Sequence, residues 1–68
     1  MEKVRIKEEF IKLDSLLKFS GLAETGGHAK IIIQNGEVKV DGEICLLRGK
    51  KIYKGSTVEF DGKGIIVE

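Results

Sequence analysis

The stretch KLDSLLKFSGLAETGGHAKIIIQNGEVKVDG, residues 12–42, decides the fold, because its apolar spacing changes once from the period of a helix to that of a strand. Its first part places three leucines on one side of a helix, and Gly21 marks the helix end. These leucines are Leu13, Leu16 and Leu17. The pattern predicts a short amphipathic helix that leaves Lys12 and Lys18 toward solvent.

A second helix is predicted after a connector of a few residues, so the two helices must pack together. Thr25 suits the N-cap, and the dipeptide Asn35-Gly36 is a stop signal. The apolar face consists of Ala29, Ile32 and Ile33. The run KIII is β-branched and would also suit a strand, but the flanking residues and the stop signal favour a helix.

Two adjacent glycines, Gly26 and Gly27, occupy the first turn of this second helix. Glycine costs about 1 kcal/mol relative to alanine inside a helix. The sequence leaves two explanations open. The glycines allow tight packing of one helix against the other, or the bare backbone lets a phosphate approach the free N–H groups of the helix start.

Beyond Gly36 the apolar residues alternate, which predicts strands. EVKV and EIC flank Asp41-Gly42, and TVEF and IIVE flank DGKG, so two β-hairpins are expected. The segment LLRGKKIYKGS between them is predicted as a basic loop or irregular strand. An N-terminal strand is predicted at VRIK, Val4–Lys7, and Phe10 and Ile11 are expected to close over the entry to the first helix. The order β-α-α-β-β-β-β predicts an α+β fold.

The composition predicts one small folded domain spanning residues 1–68. Hydrophobic residues make up 41% and charged residues 34% of the chain, which is typical of a globular protein. No apolar run approaches the roughly 20 residues of a membrane span, and the N-terminus lacks the apolar core of a signal peptide. Because Cys45 is the single cysteine, no internal disulfide can form, and we expect a cytoplasmic protein.

The formal net charge is +1, but the positive charge gathers in the middle of the chain. Residues 12–54 carry eight basic and five acidic side chains, whereas residues 55–68 carry one basic and three acidic ones. A basic cluster lies at Arg48, Lys50, Lys51 and Lys54. On charge alone, nucleic-acid binding and an ordinary solvated surface are equally good interpretations.

The chain has few of the residue types that commonly act in catalysis or bind metals, with one histidine and one cysteine. One histidine and one cysteine cannot supply a structural zinc site by themselves. A nucleophilic pair of Cys45 and His28 is conceivable, but Cys45 falls in a predicted strand, where a buried and inert thiol is commoner. We therefore predict no enzyme activity, no metal and no cofactor, and a thiol enzyme stays the least favoured interpretation.

The order and spacing of these elements resemble the small RNA-binding domain named after the fourth protein of the small ribosomal subunit, the S-four domain. The resemblance covers about residues 12–60. It is carried by the opening Lys12-Leu13-Asp14, by Gly21-Leu22, and by the AK…I…G.V.V.G pattern. That pattern is met at Ala29, Lys30, Ile33, Gly36, Val38, Val40, Asp41 and Gly42.

The resemblance implies two helices packed on a small, bent antiparallel sheet, the alpha-L RNA-binding motif. RNA is expected against a groove made by the helix pair and the strand that follows. The implied contacts are Lys12, Lys18, Thr25, His28, Lys30, Lys39, Arg48, Lys50 and Lys51. Gly26 and Gly27 join them on the argument given above, and His28 is expected as an exposed polar contact.

The chain most resembles short, free-standing bacterial members of the family, which are RNA-binding proteins without an attached enzyme. The expected partner is structured RNA, ribosomal or transfer RNA, recognised by backbone and shape, with a possible association with the ribosome or its precursors. Tyr53 is either a residue that stacks on a base or an amphipathic edge-strand tyrosine.

Two departures from the family pattern are visible. Many members have an arginine pair or a Ser-Arg step where this chain has Thr25-Gly26-Gly27-His28, and a Pro-Gly-Asp turn appears here as Lys54-Gly55-Ser56. The first departure weakens the electrostatic part of the implied site. An alternative function is therefore a protein–protein interaction module that keeps the fold without binding RNA.

Overall fold

Two helices and seven short strands follow one another in a computed structural model that describes residues 1–68. The elements in chain order are β1 (Glu2–Val4), β2 (Phe10–Lys12), α1 (Leu13–Phe19), α2 (Gly26–Gln34), β3 (Val38–Val40), β4 (Glu43–Ile44), β5 (Lys51–Tyr53), β6 (Thr57–Phe60) and β7 (Lys63–Val67).

Both helices form where the apolar stripes predict them. The three leucines of α1 are fully buried, and Gly21, just beyond its end, has a φ of 84°. Thr25 is the N-cap of α2, as predicted, and its Oγ1 accepts a hydrogen bond of 3.0 Å from the backbone N–H of His28. The helix ends at Asn35 and Gly36, so the helical reading of KIII is confirmed.

Five strands form the larger sheet in the order β1-β7-β6-β3-β4. The two predicted hairpins, β3–β4 and β6–β7, are present. Asp41 and Gly42 both have positive φ values, of 51° and 86°, as the tight turn between β3 and β4 requires. The α+β class with two helices on a small sheet is therefore confirmed.

One strand departs from the expected antiparallel arrangement, because β1 pairs in parallel with β7. The predicted alternation at the N-terminus is correct, since Val4 and Ile6 are buried. The ladder, however, covers Glu2–Val4 and not the expected Val4–Lys7. The N–H of Ile6 instead donates to the carbonyl of Glu68 just past the end of β7.

The second sheet has two strands, β2 and β5, which pair antiparallel across about forty residues of chain. Its register sets Phe10 opposite Tyr53, Ile11 opposite Ile52, and Lys12 opposite Lys51. Strand β2 was not predicted, because three residues directly before a helix show too little alternation to be distinguished from the helix entry.

A single core lies between the helix pair and the sheets. It takes the buried side of every helix and of most strands, and Cys45 belongs to it, as predicted for an inert thiol. Its largest fully buried side chains are Leu13, Leu16, Leu17, Ile33, Ile52, Ile65, Val38, Val58 and Val67. Neither helix has the length and apolar character needed to cross a bilayer.

Candidate functional site

The pairing of β2 with β5 brings the basic loop to the start of α1. Lys12, the last residue of β2, lies directly opposite Lys51, the first residue of β5. The N–H of Leu13 donates to the carbonyl of Lys50 at 2.8 Å, which fixes the loop against the helix. Three lysines from two segments that are distant in sequence are therefore brought close together. We call Lys12, Lys50 and Lys51 the basic corner.

The backbone of the loop caps α1. Besides the bond from Leu13, the N–H of Asp14 donates to the carbonyl of Arg48 at 3.1 Å, and the N–H of Ser15 donates to the Asp14 carboxylate at 2.8 Å. The first amides of α1 are thus occupied within the protein. The positive character of this region consequently comes from side chains.

The lysines of the basic corner are exposed and are not neutralised. The structure contains two ion pairs, Lys3 with Glu68 at 3.8 Å and Arg48 with Asp14 at 3.7 Å. Arg48 therefore shares its charge with a carboxylate, whereas the three lysines keep theirs. Exposed lysines on neighbouring backbone segments attract an anionic polymer more strongly than the net charge of +1 suggests.

The start of α2 is open around its glycines. A methyl group added at Gly26 would meet no atom within 4 Å, and one added at Gly27 would meet only Thr25 Oγ1 at 3.8 Å. Tight packing against α1 therefore does not explain these glycines, and one of the two explanations left open by the sequence is excluded. Both residues are exposed, and their N–H groups donate to no backbone acceptor among the bonds at the helix start.

His28 is less exposed than the sequence suggested, and its contact with RNA stays a prediction. The side chain is half-buried, and its Nδ1 accepts a hydrogen bond of 3.1 Å from the backbone N–H of Glu24. Its ring meets the edge of Phe60 with centroids 6.4 Å apart. His28 thus fastens the helix connector against β6. His28 and Cys45 do not form the nucleophilic pair considered above, because the Cys45 thiol donates to the carbonyl oxygen of Leu47 at 3.7 Å.

The remaining lysines of the predicted site do not all join one surface. Lys18 is exposed on α1 and lines a cleft with Ile11, Ser15 and Phe19, and Lys30 is exposed on α2. Lys39 lies between two buried valines of β3, so its side chain leaves the sheet on the face away from the core. Its cross-strand neighbour there is Glu59. The structure therefore separates Lys39 from the helix pair.

The sequence analysis did not predict that two aromatic residues lie together beside the basic corner. Phe10 and Tyr53 lie opposite each other on β2 and β5, with ring centroids 5.8 Å apart. Each is two residues from a lysine of the corner, so all four side chains share one face of the two-stranded sheet. The alternation in FIK and KIY could have indicated that these aromatic rings and lysines lie on one face. It does so only if the two strands are known to pair.

An apolar cluster lies next to the same loop. Ile44, Leu46 and Leu47 are all exposed, by 60%, 59% and 68%. Together with Lys50 and the end of β3 they line an open cleft of about 250 Å³. Exposed apolar side chains that adjoin one another are a feature of interaction surfaces.

Comparison with known proteins is consistent across sequence and structure. The model of the S4 domain family matches residues 4–68. The chain is 43% identical over 61 residues to the "Putative RNA-binding protein YbcJ" of Escherichia coli, covering 90% of this chain and 87% of that protein. It is 38% identical over 61 residues to the "Probable ribosome maturation protein RlbA" of Bacillus subtilis, covering 90% of this chain and 86% of that one.

Solved structures agree with these matches. The solution structure of YbcJ from Escherichia coli, described as having an alfaL motif involved in RNA-binding, superposes with a TM-score of 0.75 at 40% identity over 98% of this chain and 86% of that one. The crystal structure of the 30S ribosomal protein S4e from Thermoplasma acidophilum gives a TM-score of 0.64 at 24% identity, over 85% of this chain and 31% of that one. At that identity the second likeness concerns the fold alone.

Proposed function

The chain belongs to the S4 domain family, and on that premise we propose that it is a non-enzymatic protein that binds structured RNA, ribosomal or transfer RNA, in the cytoplasm. The names of two relatives, one an RNA-binding protein and one a ribosome maturation protein, support this class of partner. They also support an association with the ribosome or its precursors.

The observation that carries the proposal is the basic corner. Three exposed lysines from two distant segments are held together by the β2–β5 pairing and by the bond between Leu13 and Lys50. Lysine binds phosphate as a point charge and does not read the base sequence. Recognition through the corner is therefore recognition of the RNA backbone and of its shape.

The start of α2 extends the proposed interface. Gly26 and Gly27 are exposed, carry no side chain and have open space where a Cβ would lie, and Lys30 follows one turn later. A phosphate can approach such a backbone closely. Within this proposal, Thr25 contributes by capping the helix, and Lys18 and Arg48 contribute positive charge at the border of the interface.

Replacing Lys12, Lys50 and Lys51 together by glutamine tests the proposal. We expect RNA affinity to fall at least tenfold, because each lost phosphate contact removes a charge-assisted interaction. Filter binding or fluorescence anisotropy with ribosomal RNA fragments measures the affinity, and circular dichroism verifies the fold.

The matched control replaces three lysines of the five-stranded sheet, Lys3, Lys39 and Lys63, by glutamine, which changes the net charge equally. This variant should keep its RNA affinity within about twofold. Equal losses in both variants would mean that only the net charge matters, and full binding by the first variant would refute the interface.

A second candidate function, a protein–protein interaction module on the same fold, is favoured by one observation, the exposed cluster of Ile44, Leu46 and Leu47. Ultraviolet crosslinking in cells followed by purification distinguishes the two functions. RNA attached to the purified protein supports the first. A stoichiometric protein complex that survives nuclease treatment and is lost on replacing Leu47 by serine supports the second.

A further inference from the structure

We propose that Tyr53 stacks on an unpaired nucleobase of the bound RNA, while Lys12 and Lys51 bind the phosphates next to that base. The inference rests on the RNA-binding function proposed above and specifies the RNA further. The ligand is a structured RNA that carries an unpaired nucleotide beside its helical part.

The two-stranded sheet of β2 and β5 has one face toward the core and one face toward solvent. Because side chains alternate between the faces of a strand, the middle pair of β2–β5 points one way and the outer pairs point the other. The middle pair, Ile11 and Ile52, packs against the core, and Ile52 is only 1% exposed. The outer pairs therefore share the outward side, which we call the ribbon face: Phe10, Tyr53, Lys12 and Lys51.

Tyr53 is the residue of the ribbon face with free ring surface. Its side chain is 45% exposed. Phe10 is less exposed, and the Lys51 Nζ lies 4.8 Å from the centroid of its ring, so one side of the Phe10 ring is covered by an ammonium group. The two rings pack at an interplanar angle of 52°. Phe10 thus acts as a positioning residue that supports the Tyr53 ring from the side.

The arrangement of rings and charges favours nucleic acid as the occupant. Every base offers a flat face that stacks on an aromatic ring, and phosphates follow at regular spacing along the strand. Residues two apart on a strand are separated by about 7 Å, which suits a base on Tyr53 and a neighbouring phosphate on Lys51. Lysine is depleted at protein–protein interfaces, so a ring that lies next to a pair of lysines without acidic partners fits a protein partner less well.

Tyr53 can be observed directly, because the chain contains one tyrosine and no tryptophan. Two RNA probes suffice: a blunt RNA stem-loop, and the same stem-loop extended by a short single-stranded tail of adenosines. We expect the protein to bind the tailed probe more tightly. Its tyrosine fluorescence, corrected for RNA absorbance, should be quenched by the tailed probe and much less by the blunt one.

Variants separate stacking from other contributions. Tyr53→Leu should lose the preference for the tailed probe, a loss of roughly tenfold in affinity, and keep its affinity for the blunt probe. Tyr53→Phe retains the ring and should retain the preference for the tailed probe. Circular dichroism of Tyr53→Leu verifies that its loss of preference is not due to unfolding. Phe19→Leu removes an exposed aromatic ring elsewhere, on α1, and should change neither affinity.

The outcomes distinguish the two proposals. If both probes bind equally well and the fluorescence does not change, the stacking inference is wrong while the RNA-binding function stands. A preference for the tail that survives in Tyr53→Leu also overturns the inference. If neither probe nor ribosomal RNA binds, the proposed function fails, and the inference fails with it.

Discussion

Gly26 and Gly27 are adjacent glycines whose identity the folded structure does not require. Neither has a positive φ, and the space around both would accept a methyl group. Alanine would make a better helix start, since it loses less backbone freedom on folding. The protein thus gives up some stability at the place where the helix exposes its N–H groups.

Replacing both glycines by alanine should therefore stabilise the protein and weaken RNA binding. We expect the free energy of unfolding to rise by about 1 kcal/mol in total, less than twice the interior value because the first turn is the helix end. RNA affinity should fall severalfold, because the added methyl groups stand between the backbone and a phosphate. Urea denaturation and anisotropy titrations give the two quantities.

The control for this variant is Gln34→Ala at the other end of α2. It also favours the helix, but it should leave RNA affinity unchanged. If the Gly26→Ala/Gly27→Ala protein bound RNA as tightly as the original, the glycines would not belong to the interface. The stability that they cost at the start of α2 would then have no functional reason.

Among the elements, the β2–β5 ribbon has the largest effect on the candidate site. It is the connection that brings Lys12 together with Lys51 and lays the loop carbonyls on the first amides of α1. Ile52 anchors it, because its buried side chain holds β5 in register on the core. The five-stranded sheet, in contrast, supplies six of the sixteen core residues without contributing a lysine to the basic corner.

Ile52→Ala should accordingly lower stability and RNA affinity together, whereas Ile65→Ala in β7 should lower stability alone. Both side chains are 1% exposed, so each substitution is expected to cost about 2–5 kcal/mol. Affinities are compared at low temperature and corrected for the folded fraction measured by circular dichroism.

If alanine unfolds either protein, the comparison is repeated with valine at the same positions, which costs about 1 kcal/mol. Equal affinities for the folded fractions of both variants would show that the ribbon does not organise the interface.

The whole molecule carries almost no net charge, so its attraction for RNA must be local. Eleven acidic side chains nearly balance twelve basic ones, yet the two ion pairs leave the basic corner free. Attraction of this kind acts at short range and is reduced by salt. Binding should therefore depend on ionic strength more steeply than a net charge of +1 would suggest.

A plot of the logarithm of the association constant against the logarithm of the salt concentration measures this dependence. We expect a slope of several negative units, and each lysine of the basic corner replaced by glutamine should make it shallower by about one unit. Replacing Lys39, which faces Glu59 on the far side of the sheet, should leave the slope unchanged. A slope near zero would exclude phosphate contacts as the basis of binding.

Local patterns in the sequence were sufficient for most elements of this molecule. The leucine stripe of α1, the Thr25 cap and the turn at Asp41-Gly42 were all predicted, because each depends on side chains within one turn of helix or one hairpin. The resemblance to the S-four family added the class of fold, and it named all three lysines of the basic corner.

Only the tertiary structure decided which distant segments meet. The parallel pairing of β1 with β7 and the pairing of β2 with β5 join residues about forty or more positions apart, and no local pattern selects such partners. Partner choice depends on which apolar faces fill a common core. That choice packed His28 against Phe60 and placed Phe10 and Tyr53 beside the lysines. The sequence by itself thus determined the helices and the tight turns, while long-range packing determined the interface.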